Sequence, residues 1–421
     1  MTEKTESPRW PLERTSRRSF LQAAAGAAAM AQATARAGQS LSKPAPRRIL
    51  AWVGTYSSPQ GPEGAKGRGQ GIYVFELNPA SGVLTQREII PNDANPSCLA
   101  LQPSGAHLYS ANEVSNFAGG NSGSVSAYAV DRHRGHLTLL NTVSSEGAGP
   151  AHLSVHPSGK YVLVANYAGG NVAVLPIRAS GELGSATDVV HHRGAVGPER
   201  PHSAPIGNFA ISGHDKPHAH MIQADAAGRF VFSSDLGLDR IFIWKFDGEM
   251  GKLTPSDPDS VALPPGDGPR HFAFHPGGRW FYSLQEEGST LVAFDYDSTR
   301  GRLTEKQTLS SLPKGFVGTN FTSEVMISAD GKFLYAANRL HDSIAWFPIS
   351  ATGTLTFGGE EWTRGDYPRS FNIDPTGNFL YCCNQRGDAV TTFRVNRQTG
   401  ALTFTGYYTP IGTPSHIVFL T

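Results

Sequence analysis

From Pro96 onward, apolar and polar residues alternate in short runs, each closed by a turn such as Pro-Ser-Gly or Asp-Gly. A period of two is the signature of a strand with one buried face. Gly and Pro at fixed points between the runs mark the reversals. No sustained 3.6-residue apolar pattern follows the N-terminal segment, so helices are expected to be scarce.

The runs belong to a repeating phrase: an opening residue, often Pro, then an alternating strand, a Gly turn, and a second strand ending in a polar residue. Full copies read PSCLALQPSGAHLYSANE from Pro96, PAHLSVHPSGKYVLVANY from Pro150 and PHAHMIQADAAGRFVFSSDLG from Pro217. Three more are PRHFAFHPGGRWFYSLQEE from Pro269, SEVMISADGKFLYAANR from Ser323 and PRSFNIDPTGNFLYCCNQ from Pro368. A last copy opens at Pro414 as PSHIVFL, and its second strand is matched by ILAWVGTY, Ile49 to Tyr56. Third strands such as SVSAYAV and RIFIWKF follow each pair, and a Gly-Xaa-Leu-Thr-like phrase opens a fourth.

Second-strand ends at Asn112, Asn166, Asp235, Gln285, Asn338 and Asn384 lie about 46 to 70 residues apart, the spacing of propeller blades. The fold predicted is therefore all-β, a seven-bladed β-propeller over 49–421, closed by joining its N- and C-terminal strands. The stretch from about His191 to Lys216 reads as a long loop over one face. The cysteines, Cys98, Cys382 and Cys383, have no metal or redox spacing, and Cys382 and Cys383 should face opposite sides of one strand.

Residues 1–37 read as an address rather than as part of the fold. Ser16-Arg17-Arg18-Ser19-Phe20-Leu21 resembles a twin-arginine export signal, an Ala-rich stretch follows it, and Ala35-Arg36-Ala37 offers a cleavage site. A linker at 38–48 would join it to the propeller. The expectation is a periplasmic or secreted protein that meets the export machinery transiently and has no membrane span in its mature form. With 36 Lys plus Arg against 35 Asp plus Glu, nothing in the net charge points to nucleic acid.

In a propeller, the start of strand one and the end of strand two share one mouth of the central channel. Strand-one starts supply His152, His218, His220, Arg270, His271, Glu324, Arg369 and His416; strand-two ends supply Glu113, Tyr167, Asp235, Glu286, Arg339, Asn384 and Gln385. Buried charges cost several kcal/mol unless they pair or meet ligand, so this density favours a wet, anion-accepting site over packing alone. Structural readings stand beside it: an ion pair between Glu324 and Arg339, turn caps at Asp235 and Asp239, turn histidines at His156 and His275. His218 and His220 alternate on one strand but lack a third ligand, and no metal or other cofactor is expected.

Across nearly the whole mature chain, NPSCLALQPSG, PAHLSVHPSGKYVLVANYAGGNVAV, PHAHMIQADAAGRFVFSSDLGLDRIFIWKF, GPRHFAFHPGGRWFY and SEVMISADGKFLYAANR resemble the seven-bladed propeller lactonase family. That family includes 6-phosphogluconolactonases and, more distantly, a carboxymuconate-cyclizing enzyme. The resemblance implies a channel-mouth site of His, Arg and Glu. It puts the family's histidine on His218 or His220, its arginines on Arg270 and Arg339, and its glutamate on Glu286 rather than Glu287.

Lactone opening needs a base for water, a donor for the oxyanion and anchors for the sugar. The catalytic set expected is Glu286 or His220 as base with Arg270 or Arg339 at the oxyanion. His152, His218, Glu324, Arg369 and Gln385 are the expected substrate contacts. No Gly-Xaa-Ser-Xaa-Gly elbow is present, which favours direct water attack. Outside the cytosol an unphosphorylated aldonolactone becomes an alternative substrate to 6-phosphogluconolactone. A muconate-type cycloisomerase and a non-catalytic binding propeller are the competing classes.

Overall fold

The computed structural model describes residues 48–59, 66–209 and 213–420. The expected signal peptide, and the linker up to Arg47, lie outside the described residues.

Seven four-stranded antiparallel sheets make up the propeller. Blade 1 joins the two chain ends: its inner strand is Pro414–Leu420, its second strand Ile49–Thr55, with Trp52 opposite Val418. The ring closure read from the sequence is thus present. Blades 2 to 7 open with inner strands Pro96–Leu101, Pro150–Val155, Ala219–Ala224, Pro269–Phe274, Thr322–Ile327 and Pro368–Ile373. The only helical element among the described residues is a short 3-10 turn at Phe117–Gly119.

Alternating residues of neighbouring blades pack into a continuous ring of apolar clusters. Cys382 joins the cluster between blades 6 and 7, and Cys383 the one between blades 7 and 1, as alternation along a strand requires. At the centre of the second strand an aromatic latch recurs. Tyr109, Tyr282, Tyr335 and Tyr381 each donate a hydroxyl hydrogen bond to the carbonyl of Gly181, Gly353, Gly400 and Gly82 on the next blade, and Trp52 Nε1 does so to Gly135. All five acceptor glycines have φ between 77° and 89°, where a side chain would be strained.

Every inner strand carries a one-residue bulge at its mouth end. In blade 5, Pro269 pairs with Gln285 and His271 with Leu284, so Arg270 is the extra residue. The same shift falls at Ser97, Ala151, His220, Arg369 and Ser415, and within Ser323-Glu324. A bulge breaks strict alternation, so two consecutive residues are delivered toward the channel. A backbone clasp tightens the same end. The residue after the second strand donates its N–H to the carbonyl just before the inner strand, as in Glu286 to Gly268 (2.7 Å), Arg339 to Phe321 (2.7 Å) and Tyr56 to Thr413 (3.0 Å).

The register corrects one expectation. Blade 4 begins at Ala219, not Pro217, so His218 and His220 do not share a strand; His218 occupies the clasp position, its carbonyl accepting Leu236 N–H at 2.9 Å.

Removing one latch tests the interblade contact. Tyr335→Phe leaves the Gly400 carbonyl without its buried donor and is expected to destabilise the propeller by about 1–3 kcal/mol, read from the denaturant midpoint. An unchanged midpoint would mean the latch contributes nothing.

Candidate active site

Bulge and clasp together build the channel in tiers. The uppermost contains Tyr56, Glu113, Tyr167, Leu236, Glu286, Arg339 and Gln385, each the residue after a second strand. Below lies the bulge tier, which includes His220, Arg270 and Arg369. Deeper still are Cys98, His152, Met221, His271, Glu324, Ser370 and His416, one residue further along each inner strand.

Asp235 and Asn384, expected at the mouth, instead belong to the buried row before the upper tier. Asp235 Oδ1 caps the His218 and Leu238 amides at 2.9 and 3.1 Å while its Oδ2 meets His192 Nδ1 at 2.8 Å. Asn384 Nδ2 donates to Thr391 Oγ1 at 2.9 Å. The structural reading of Asp235 is the one the geometry shows. Of the structural alternatives, the ion pair between Glu324 and Arg339 is not the one formed: Glu324 pairs with His271.

Arg339 Nη2 instead lies 2.6 Å from Glu286 Oε1, and Arg270 Nε 2.8 Å from Glu286 Oε2. One carboxylate is gripped by two guanidiniums from two blades, all three nearly removed from solvent. Arg270 Nη1 also donates to the Ser323 carbonyl, and Arg339 Nη1 to Tyr367 Oη at 3.2 Å. Burial, with the Arg369 charge nearby, lowers the Arg270 guanidinium to about 10, against which Glu286 acts. Unpaired, two buried cations would be strongly destabilising. Both Glu286 oxygens thus face the arginines; Glu287 is buried beside it, its N–H donating to the Asp267 carbonyl at 3.0 Å.

His220 stands next to this clamp, edge-on to Tyr167 at 5.5 Å and to His271 at 5.1 Å between ring centroids. Burial first, and the Arg270 charge second, hold it well below the ordinary imidazole value. Its Nδ1 has no hydrogen-bond partner among the described residues. His218 is spent structurally: Nε2 meets Asp215 Oδ1 at 2.7 Å, Nδ1 meets the Tyr167 carbonyl at 3.0 Å, and the ring stacks on Tyr167.

Across the mouth, Arg369 lies over the Tyr56 ring and 3.7 Å from Glu113 Oε1, while Tyr56 Oη donates to Glu113 Oε2 at 2.8 Å. Gln385 holds the equivalent place on blade 7, its Oε1 buried without a partner among the described residues. Two expected substrate contacts sit one tier deeper: Glu324 accepts from His271 Nδ1 at 2.9 Å, and His152 stands edge-on to His271. Tyr56 was readable from the sequence as the end of a second strand, but its place at the chain's other end hid it.

The 192–218 insertion leaves blade 3 and crosses the same face. His202 N–H reaches the Pro265 carbonyl, Ser203 N–H reaches Asp267 Oδ1, and Gly318 N–H on blade 6's leading loop reaches the Ile206 carbonyl. Two buried His–Asp pairs, His192–Asp235 and His214–Asp239, fasten its ends. Among the described residues no cluster of three or more His, Cys, Asp or Glu has metal-binding geometry.

Comparisons agree with this architecture. The family model described as Lactonase, 7-bladed beta-propeller matches residues 50–419. The chain is similar to the 6-phosphogluconolactonase of Bacillus subtilis (strain 168), with 33% identity over 374 residues, 89% of this chain and 99% of that protein. It is also similar to the 6-phosphogluconolactonase of Formosa agariphila, with 30% identity over 338 residues covering 79% and 91% of the two chains. The periplasmic gluconolactonase of Pseudomonas aeruginosa matches in structure with a TM-score of 0.79 and 30% identity, over 89% of this chain and 99% of that one.

Burial lowers the basicity of His152, His220, His271 and His416 alike. Below about pH 6.5 the unfolded chain protonates these imidazoles while the folded channel resists it, so the unfolded state binds more protons and stability is lost as the pH is lowered. Glu324, raised by burial, acts in the opposite sense as a single group. The melting temperature is therefore expected to drop steadily between about pH 7 and about pH 5; a flat profile would show that the channel imidazoles are not held neutral.

Proposed function

We propose, from the premise that the chain belongs to the seven-bladed β-propeller lactonase family, that it hydrolyses a sugar lactone at the mouth formed by His220, Arg270, Glu286 and Arg339. One observation carries the reading: two buried arginines are locked by Glu286 beside a neutral imidazole with an uncommitted nitrogen.

In this scheme water gives a proton to the His220 imidazole as its oxygen bonds to the lactone carbonyl carbon. The carbonyl oxygen gains the negative charge, which Arg270 and Arg339 meet from preset positions. Collapse breaks the bond to the ring oxygen, which takes the proton back from His220. One water is consumed and one hydroxy acid formed, which sheds its proton at neutral pH.

Glu286 is a poor base here, because both its oxygens are committed to guanidiniums that stabilise its anion. Its part is to hold the two cations at a fixed spacing. His220 is weakly basic while the arginines are unshielded; a bound anionic or developing negative charge raises its proton affinity at the moment of attack. Arg369 and Gln385, on the far side of the mouth, anchor the sugar hydroxyls or its acidic substituent. Similarity to a periplasmic gluconolactonase and the twin-arginine-like start support work outside the cytoplasm on an unphosphorylated aldonolactone.

Acid release in a pH-stat from glucono-1,5-lactone and its 6-phosphate, above the spontaneous rate, tests the reading; chelator is expected to leave the rate unchanged. Failure to accelerate either would remove the lactonase reading. Arg270→Ala and Arg339→Ala are expected to lower kcat by about 10²–10³. His220→Gln should lower it by about 10²–10⁴, more than Glu286→Gln does. The reverse order would make Glu286 the base.

A further inference from the structure

Beneath Arg270 the channel does not close. A cavity of about 320 Å³ runs from Arg270 and Arg369 past His271 to Phe274 and Pro276, residues at the opposite end of the blade 5 inner strand. Pro276 is exposed on that far side, away from the lactone mouth. The space exists because channel-facing positions there are small or pliant: Ala273 and Gln223 in one tier, with Met221 and Met326 at its sides.

The upper end of this cavity is polar and incompletely satisfied. His271 Nδ1 is held by Glu324, but its Nε2 has no partner among the described residues although the residue is only 8% exposed. Ser97 Oγ, on a residue 5% exposed, lacks one too. Both residues line the cavity together with Arg270 and Arg369. Buried polar atoms without partners are uncommon and point to something that completes them. The lower end is apolar, with methionines that adapt to a ligand's shape.

We propose that this chamber is a second binding site, entered from the face opposite the lactone mouth, for a small monocarboxylate with an apolar tail. The carboxylate faces the two arginines and accepts from the Ser97 hydroxyl, a proton taken up with the ligand lets His271 Nε2 donate to it as well, and the tail lies along Met221, Ala273 and Met326. None of these five side chains belongs to the set proposed to open the lactone. The volume falls at the small end of ligand pockets and suits a molecule the size of benzoate.

Benzoate titrated into full-length protein carrying ¹³C-methyl methionine reads the site directly. Saturable shifts of the Met221 and Met326 methyls are expected, with exposed Met250 unmoved as internal control. Binding should persist in Arg339→Ala, a mouth residue outside the chamber's lining, and weaken at least about tenfold in Ala273→Phe, which fills the chamber. Absence of a saturable shift at Met221 and Met326 would overturn the proposal, as would its loss in Arg339→Ala. The wild-type shifts decide where the ligand sits even if Ala273→Phe fails to fold, and they are read without reference to lactone turnover.

Discussion

The chemistry of this channel depends on one extra residue in each inner strand. A regular strand would send alternate side chains to the channel and the others between the blades. The bulge makes Arg270 and His271 both face inward, and repeats this at Arg369-Ser370 and Ser415-His416. One strand thereby supplies two tiers. The clasp N–H then fixes a third, because Glu286 and Arg339 are held by their own backbones before their side chains make any contact. Without the bulge, Arg270 could not share a carboxylate with Arg339 from the next blade, and each would be buried alone.

Stability and site chemistry are assigned to different parts of each blade. Aromatic latches and apolar clusters lie midway along the second and third strands, where no mouth residue takes part. The charged groups gather at the mouth ends, where backbone clasps, nearby carbonyl and tyrosine hydroxyl groups, and each other hold them. That separation lets a propeller carry titratable groups in its centre without its fold resting on them. It also explains why the mouth tolerates the 192–218 insertion: the insertion is tied by its own His–Asp pairs and by loop backbone, not by strand pairing.

Much of this could be read in the chain. The repeat phrase revealed blade number, strand order and the closure of Pro414–Leu420 on Ile49–Thr55, because each copy must bury the same two faces. Blade 4 was misread by two residues, since Pro217 imitates the Pro that opens other blades. The correction was countable. The turn glycine lies nine residues after the inner-strand start at Gly105, Gly159, Gly278, Gly331 and Gly377, and nine back from Gly228 is Ala219. That count separates His220 from His218. What could not be read was the partner of each charge: Glu324 lies two tiers below Arg339, and a difference in depth that turns on one extra residue in a bulged strand is invisible in spacing alone.

Depth also decides protonation, and through it which group can act on water. A carboxylate shared by two guanidiniums is stabilised as an anion, so proximity to the reacting centre does not make it a base. An imidazole that burial and neighbouring cations keep neutral has the opposite problem: it is ready to accept a proton but pays for the charge it gains. The cost falls only when negative charge appears beside the arginines, and in lactone opening that happens as the oxyanion forms. In the scheme proposed, proton acceptance by His220 and charge build-up at the carbonyl oxygen therefore favour one another. A site that buries two arginines around one glutamate beside an uncommitted histidine is arranged to stabilise that paired charge separation more than the neutral ground state.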